Sequence, residues 1–505
     1  MHHDTTPLWS ATRKAPRFEA LDRDLDVDIA IVGAGVSGLT AAVLLSRTGL
    51  RVVVLERDRI GSGETGHTTS HLTEAVDASY QRIIQDFGED AARLVARSSR
   101  DAIDCIESLA QHLGVDSFER VPGYLYTEDT DRVDWLADEL DAARRAGCAV
   151  EWIDDVPVPF PTSGGIRWDR QAQIHATEYL AALAKEADTH RVQLYETTKV
   201  TGVHDGHPCR VETEHHVVRA RHVFVAANVP VNNRFLLHTK LAPYRSYVVA
   251  GEVEAGCLGG LFWDADDPYH YIRSQEIDGQ GYVLVGGEDH RTGEVRETEY
   301  CYERLLDYAR ARLPIGPLKY RWSGQIIEPV DGLPFIGHNS GSTHVWVATG
   351  FAGNGMTFGT LAGMMVADFV VGRTNRYAHL YDATRVKPLV SAYDYIAENA
   401  AFPVHLIKDR LTSANADVQS LDDLQPGQGG LVAGPDGKLA VYRDERGELH
   451  GCSPVCPHMG CDVAWNGAER TWDCPCHGSR FSADGQVING PAISDLSPRP
   501  LPTRA

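Results

Sequence analysis

Apolar residues fall in short runs over the first part of the chain. Val27-Asp28-Ile29-Ala30-Ile31-Val32 predicts a buried strand, Leu39 to Thr48 a helix, and Arg51-Val52-Val53-Val54-Leu55-Glu56 a second strand. Further on, Ala91, Leu94, Val95, Ile103, Ile106, Leu109 and Leu113 recur on one face of a predicted helix over Gly88 to His112. A second helix is expected over Val133 to Gly147, and a third from Gln173 to about Ala187. Short strands follow at Val192 to Tyr195 and Thr198 to Val200, and Val217 to Ala227 predicts a strand pair.

Between about Arg234 and Gln325 the pattern changes to alternating apolar residues with many aromatics. Tyr247 to Val253, Tyr269 to Arg273 and Gly281 to Gly287 predict an antiparallel sheet. Val345 to Thr349 returns to a buried strand, and Gly350 to Thr360 is glycine-rich and opens a helix. Tyr377 to Leu411 is helical in parts, broken at Pro388 and Pro403. Pro426-Gly427-Gln428-Gly429-Gly430 then begins a unit of short strands, Leu431 to Ala433 and Leu439 to Tyr442, around a Gly434-Pro435-Asp436-Gly437 turn.

These patterns predict an α/β unit with an interleaved α+β unit on an antiparallel sheet, followed by a small all-β domain. That the first is a Rossmann-like nucleotide-binding domain is what the glycine turn and the resemblances quoted below imply. Residues 1–375 form the first unit, with nucleotide-binding segments at about 26–80, 170–230 and 325–373. Its interleaved segments are at about 85–165 and 234–325. Residues 376–413 are a linker with helical segments, and 414–505 the C-terminal domain. A length of 505 residues suits two or three domains.

Composition changes little in this picture. Hydrophobic content of 43% and charged content of 23% are ordinary for a globular protein. A net charge of −22 argues against a nucleic-acid partner, which needs a basic face. No run of about 18 apolar residues predicts a membrane span. The polar stretch Met1 to Asp28, with Pro7 and Pro16, lacks the apolar core of a signal peptide, so a cytoplasmic location is expected. Five of the ten cysteines lie between Cys452 and Cys476, which favours a local cofactor site over a secreted disulfide framework.

The first predicted turn, Gly33-Ala34-Gly35-Val36-Ser37-Gly38, is a G-x-G-x-x-G sequence in a full β-α-β context. Gly33 permits the tight turn, Gly35 lets backbone approach a pyrophosphate, and Gly38 permits close helix–strand packing. The helix N-terminus offers N–H groups to phosphate. Glu56, 18 residues past Gly38, is placed to accept from a ribose hydroxyl. No second fingerprint occurs between Val200 and Gly337, so a separate NAD(P)H domain is not expected.

The loop after the second strand, Glu56-Arg57-Asp58-Arg59-Ile60-Gly61-Ser62-Gly63-Glu64-Thr65-Gly66-His67-Thr68-Thr69-Ser70-His71, resembles that of the D-amino-acid-oxidase/sarcosine-oxidase superfamily of flavoproteins. The resemblance implies FAD. Arg57, Ser62, Thr65, Thr68 and Thr69 then belong to a loop that wraps its pyrophosphate and flavin. Ser62 to His67 also matches the S-G-x-T-x-H pattern in which dehydrogenase-type members carry the flavin covalently on the histidine. His67 is thus either a covalent anchor or a histidine that contacts flavin or phosphate. Val200 is a candidate adenine contact by the same resemblance. Asp331-Gly332-Leu333-Pro334-Phe335-Ile336-Gly337 resembles the superfamily's turn near the flavin. The helix opened by Gly353, Asn354, Gly355, Met356 and Thr357 would aim its N-terminus at the flavin edge that gains charge on reduction. The antiparallel sheet is the superfamily's substrate platform. On it Tyr247, His270, Tyr271 and Arg273 are substrate-site candidates, Arg273 as a clamp for a carboxylate. Ordinary sheet residues are the other reading, and the residues name no catalytic base.

At the C-terminal end, Cys456-Pro457-His458 and Cys474-Pro475-Cys476-His477 are separated by 15 residues. Two cysteines and two histidines fit a Cys2His2 zinc site or a [2Fe–2S] cluster with two thiolates on one iron and two imidazoles on the other. Cys456-Pro457-His458-Met459-Gly460-Cys461 and Cys474-Pro475-Cys476-His477-Gly478-Ser479 resemble the loops of cytochrome bc- and b6f-type Rieske proteins. That resemblance implies cluster ligands Cys456, His458, Cys474 and His477, and a disulfide between Cys461 and Cys476. Phe481 stands where high-potential members have a tyrosine donating to a ligand sulfur, which predicts a potential below the respiratory type.

The combination resembles FAD-dependent oxidoreductases with a fused Rieske domain. It implies a dehydrogenase for an amine, amino acid or related small molecule, passing electrons to the cluster and on to a redox partner protein or a quinone-like acceptor. The alternatives are a reductase or monooxygenase-type flavoprotein fed through the cluster by a ferredoxin-like donor, and an electron-transfer protein without an organic substrate.

Overall fold

The computed structural model describes residues 5–190, 192–230, 237–254, 258–385, 417–434 and 437–501. The central parallel strand, Leu25–Val32, is flanked by Val52–Leu55 and Val217–Val225. Gln193–Tyr195 extends the sheet on one side, Val345–Thr349 and then Phe335–His338 on the other. Val32 lies opposite both Leu55 and Val225, so the carboxyl ends of the parallel strands finish level. In such sheets ligands bind at that edge. Helices Val36–Ser46, Ala176–Thr189 and Gly355–Val370 share one apolar core with Glu89–Leu113 against the sheet. Helix Val36–Ser46 is buried nearly all round, as its apolar residues and lack of charged ones require.

The second sheet runs in the order Leu318–Pro329, Leu241–Val253, Gln280–Arg291, His270–Ile277, Leu261–Asp264, Glu119–Tyr126, Gly165–Gln173, His71–Leu72. It is mostly antiparallel, with one parallel joint where Leu261–Asp264 meets Glu119–Tyr126. Between Leu241–Val253 and Gln280–Arg291 the register slips. Arg245 lies opposite His290 and Tyr247 opposite Gly287, so Glu288 and Asp289 both oppose Ser246. Glu288 takes a positive φ of 56° there.

Several local expectations are corrected. The helix expected from Gln173 starts at Ala176, because Gln173 ends a strand and His175 caps the helix through Nδ1 from the Glu178 N–H. Val217–Val225 is one strand, its antiparallel neighbour being Cys209–Thr213. The loop after Gly63 contains a helical turn, Glu64–His67. Tyr377 to Arg385 forms turns, and the rest of the expected linker helices lies outside the described residues.

The C-terminal domain has two small antiparallel sheets, Gly429–Gly434 with Gly437–Arg443 and Leu449–Cys452, and Ala464–Asn466 with Thr471–Asp473, Arg480–Ser482 and Val487–Asn489. Trp472 and Phe481 are fully buried in its core beside Cys456 and Cys474. Among the described residues no helix is long and apolar enough to cross a membrane.

Candidate redox site

The nucleotide turn is shaped by contact distances. Gly33 has φ 104°, and a side chain there would lie 2.6 Å from the Ala226 carbonyl. At Gly38 a Cβ would sit 2.0 Å from the Gly33 carbonyl, so any side chain would push the helix off the turn. Gly35 would reach 3.0 Å from Thr65 Oγ1, which itself accepts from the Val36 N–H at 3.3 Å. Glu56 Oε2 accepts from the Ala34 N–H at 2.8 Å and Oε1 from the Asp58 N–H at 3.0 Å. Burial pushes the Glu56 carboxyl above its ordinary range, against those two hydrogen bonds.

The turn opens into a cavity of about 740 Å³ at the carboxyl edge of the parallel sheet. Gly33 to Ser37, Glu56, Arg57 and Val200 line one part of it. Thr65, His67, Thr68, Thr69 and the Gly353–Met356 turn line another. Three residues expected at the cofactor stand outside this lining. Gly38 lies behind the turn. Ser62 is exposed and closes its own turn on the Arg59 carbonyl. Thr357 is buried one residue beyond the lining segment.

Helix Gly355–Val370 has no side-chain cap, because Asn354 Oδ1 accepts instead from the Asp77 N–H at 3.2 Å, while Nδ2 donates to Thr73 Oγ1 and the Ala75 carbonyl. Its first N–H groups are therefore left at the cavity wall. Asn228, on the same wall, holds a buried Nδ2 with no partner. A glycine-walled groove, an uncapped helix start and an orphaned amide donor fit a bound dinucleotide such as FAD.

Of the four substrate-site candidates the structure brings only Tyr271 into the cavity. Its hydroxyl lies 3.0 Å from Ser246 Oγ, and its ring meets His71 edge-on. Burial lowers His71 to about 3, so it is a neutral imidazole. Arg273 sits two residues further along the same face, fully buried and beyond the cavity. Its guanidinium donates to the Thr69 carbonyl at 2.8 Å and the Ser70 carbonyl at 3.1 Å, so it fixes the loop rather than clamping a carboxylate. Tyr247 and His270 pack against helix Thr298–Arg312 through Tyr302 and Tyr308. Tyr247 also pairs with His290 at 3.0 Å, and His270 with Asp264 at 3.1 Å.

The C-terminal loops repeat one another. The Cys456 N–H donates to the Cys461 carbonyl and the Gly460 N–H to the Cys456 carbonyl. Likewise the Cys474 N–H donates to Ser479 and the Gly478 N–H to Cys474. Both thiols are buried, and the rings of His458 and His477 approach to 5.0 Å nearly at right angles. A hydrogen bond from Cys474 lowers the Cys456 thiol against the effect of burial, helped by backbone N–H groups and the Ser479 hydroxyl. Cys461 and Cys476 form a disulfide with Cα atoms 6.5 Å apart, tying the loops together. Two inward thiols and two neighbouring imidazoles are the donor set a [2Fe–2S] cluster of mixed ligation needs.

The two sites share a wall. Val487, Ile488, Asn489, Gly490, Ala492 and Ile493 of the C-terminal domain line the nucleotide cavity. Asn489 Nδ2 donates to Glu64 Oε1 at 2.8 Å, and Arg57 donates to the Ile488 carbonyl. Gln325, on the cavity wall, donates through Nε2 to the Gly478 carbonyl at 2.6 Å, next to His477. Glu469 is buried between Arg245 and Arg480 and bonded by Ser323. Sequence patterns carry no signal for Asn228, nor for Gln325 and Glu469, whose contacts with Gly478 and Arg245 exist only once the domains meet.

A dinucleotide-binding oxidoreductase fold sharing a wall with a two-cysteine, two-histidine module defines a flavoprotein with its own iron–sulfur carrier. Comparison with known proteins agrees. The FAD dependent oxidoreductase (DAO) family model matches residues 28–369, and a Rieske [2Fe-2S] domain model matches residues 415–500. The chain belongs to the DAO family of FAD-dependent oxidoreductases and carries a C-terminal Rieske domain. A Bacillus subtilis protein, YhfW, provisionally named a Rieske 2Fe-2S iron-sulfur protein, is 32% identical over 492 residues, covering 97% of this chain and 96% of that one. The gamma-glutamylputrescine oxidoreductase of Escherichia coli is 23% identical over 381 residues, 73% of this chain and 89% of its own. Glycine oxidase from Geobacillus kaustophilus superposes with a TM-score of 0.63 at 21% identity, over 72% of this chain and all of that one. The cofactors are thus FAD and one Rieske [2Fe–2S] cluster.

Proposed function

We propose that the chain is a dehydrogenase that oxidises an amine, an amino acid or a related small molecule. Its electrons leave through the fused Rieske domain to an external acceptor, a redox partner protein or a quinone-like compound. When bound, FAD takes a hydride equivalent from a C–H bond, and the cluster carries electrons singly. The protein's part is to hold the substrate beside the Gly353–Met356 turn, to keep water out, and to keep the two domains in register.

One observation carries the reading: the Rieske domain supplies part of the nucleotide cavity's wall, with Gln325 bonded to the residue after His477. A cluster placed for exchange with a separate enzyme alone would not need that contact. Similarity to an oxidoreductase for an amine and to glycine oxidase supports C–N oxidation. The cysteines Cys105, Cys148, Cys209 and Cys301 are unpaired, which supports a cytoplasmic setting. His67 lines the cavity, with Nδ1 2.9 Å from the Gly63 carbonyl, and we propose it as the point of covalent flavin attachment. Mass spectrometry of acid-denatured protein should find FAD on the His67 peptide; complete release of FAD would refute the link.

The function is tested by mixing oxidised protein anaerobically with a panel of amines and amino acids. Flavin bleaching followed by the cluster's EPR signal supports a dehydrogenase. Silence towards every organic compound, with rapid reduction by ferredoxin, would reverse the current.

A further inference from the structure

At its sheet end the cavity is acidic and aromatic. The two-against-one bulge opposite Ser246 turns Asp289 inward, where it lines the cavity. Bulges characteristically re-aim a side chain beside an active site. Asp289 Oδ1 is sealed from solvent and has no hydrogen-bond partner. Ser246, hydrogen-bonded with Tyr271, lies beside it.

The neighbours deepen the negative field. Asp77, on the same wall, accepts from the Gly353 N–H and adds a second carboxylate. The other nearby acids are matched: Asp264 by His270, and Glu288 by Arg304. The basic side chains of the cavity wall are engaged elsewhere. Arg57 pairs with Asp58, Arg59 with Glu196, Arg82 with Asp86 and the Val330 carbonyl, and Lys199 with Asp495. Tyr269, Tyr271 and Trp263 supply aromatic surface. A carboxylate oxygen that is sealed and unpartnered is costly without a cation, and aromatic faces attract cations.

We propose that this end of the cavity binds an organic cation, a substrate bearing an ammonium group, with Asp289 as its anchor, Asp77 as second charge and Tyr269 and Tyr271 around it. The inference rests on the reading that the cavity takes an organic substrate, and it narrows that substrate to cationic amines. Anionic substrates, and amino acids held by their carboxylate, are disfavoured because the expected clamp at Arg273 is spent on the 69–70 loop.

The test is equilibrium dialysis of the oxidised holoprotein under nitrogen with 1,4-diaminobutane, 1,4-butanediol and butanedioate. The diamine should bind at least tenfold more tightly than the diol, and the dianion more weakly than either. Asp289→Asn should erase the preference for the diamine, and Asp289→Glu should keep part of it. Equal binding of diamine and diol, preference for the dianion, no binding of the diamine, or a preference unchanged in Asp289→Asn overturns the proposal. If Asp289→Asn does not load FAD, the wild-type selectivity decides alone. Flavin bleaching is followed in the same samples. Diamine binding without bleaching by any compound keeps the cation site and counts against the dehydrogenase; bleaching by the diol or dianion alone keeps the dehydrogenase and removes the cation site.

Discussion

Glu469→Gln should loosen the seam between the two domains. In the folded protein Glu469 pairs with Arg245 at 2.6 Å and with Arg480, and the three side chains are 10%, 1% and 6% exposed. Arg480 keeps Asp473 at 3.0 Å when Glu469 is neutralised. Arg245 keeps only Ser323, and its Nε and Nη1 already have no partner. The cost therefore falls on one buried guanidinium, for which removal of a partner typically costs about 3–5 kcal/mol. At about 1.4 kcal/mol per factor of ten, the lower figure moves the docked population by about two orders of magnitude. Burial pushes the Glu469 carboxyl up, but Arg245 and Arg480 outweigh it and hold it at about 2, down from 4.5. Its folded value is depressed, so the lock is whole above about pH 4.5 and fades as pH falls towards 2. Hydrogen exchange over residues 464–482 at pH 7 is the assay, with FAD and iron content as controls. The variant should exchange faster there with both cofactors retained, and the wild type should approach it only in acid. Exchange unchanged in the variant would refute the buried-lock argument.

Other outcomes follow from single contacts. Gly38→Ala places a Cβ 2.0 Å from the Gly33 carbonyl, so the purified protein should lose most of its FAD, read by absorbance, while the Rieske EPR signal persists. Phe481→Tyr, on a fully buried side chain of the cluster domain, should raise the cluster potential in voltammetry by ~20–65 mV, the worth of one added hydrogen bond. Asp289, whose carboxyl burial raises from 3.8 to about 7, with Asp77 and Glu288 adding to the rise and Ser246 and His270 opposing it, should destabilise the amine-free protein as pH climbs through that interval. Asp289→Asn should therefore melt higher than wild type at pH 8, by about 1–3 kcal/mol, and lose that advantage near pH 4.

Legibility in the sequence followed locality. The β-α-β turn, the helix Glu89–Leu113 and the two cluster loops are contiguous stretches whose chemistry depends on spacing alone, and they stand where the patterns place them. Gln173 ends a strand where the pattern predicts a helix, because apolar periodicity cannot distinguish a strand's end from the following helix start. Arg273 illustrates a different limit. Its strand was legible, but whether it faces substrate or the Thr69 carbonyl depends on a loop 204 residues away in sequence. Asp289 depended on a register slip that no single strand encodes. Gln325 gains Gly478, and Glu469 gains Arg245 beside its own domain's Arg480, only when the Rieske domain docks.

The most direct measurement is a freeze-quench EPR series after anaerobic mixing with a reducing amine, run over a tenfold range of protein concentration. If the chain's own cluster receives the flavin's electrons, the Rieske signal should grow after flavin bleaching with a rate constant independent of protein concentration. A rate proportional to concentration, or a bleached flavin beside a cluster that stays oxidised, would contradict the account.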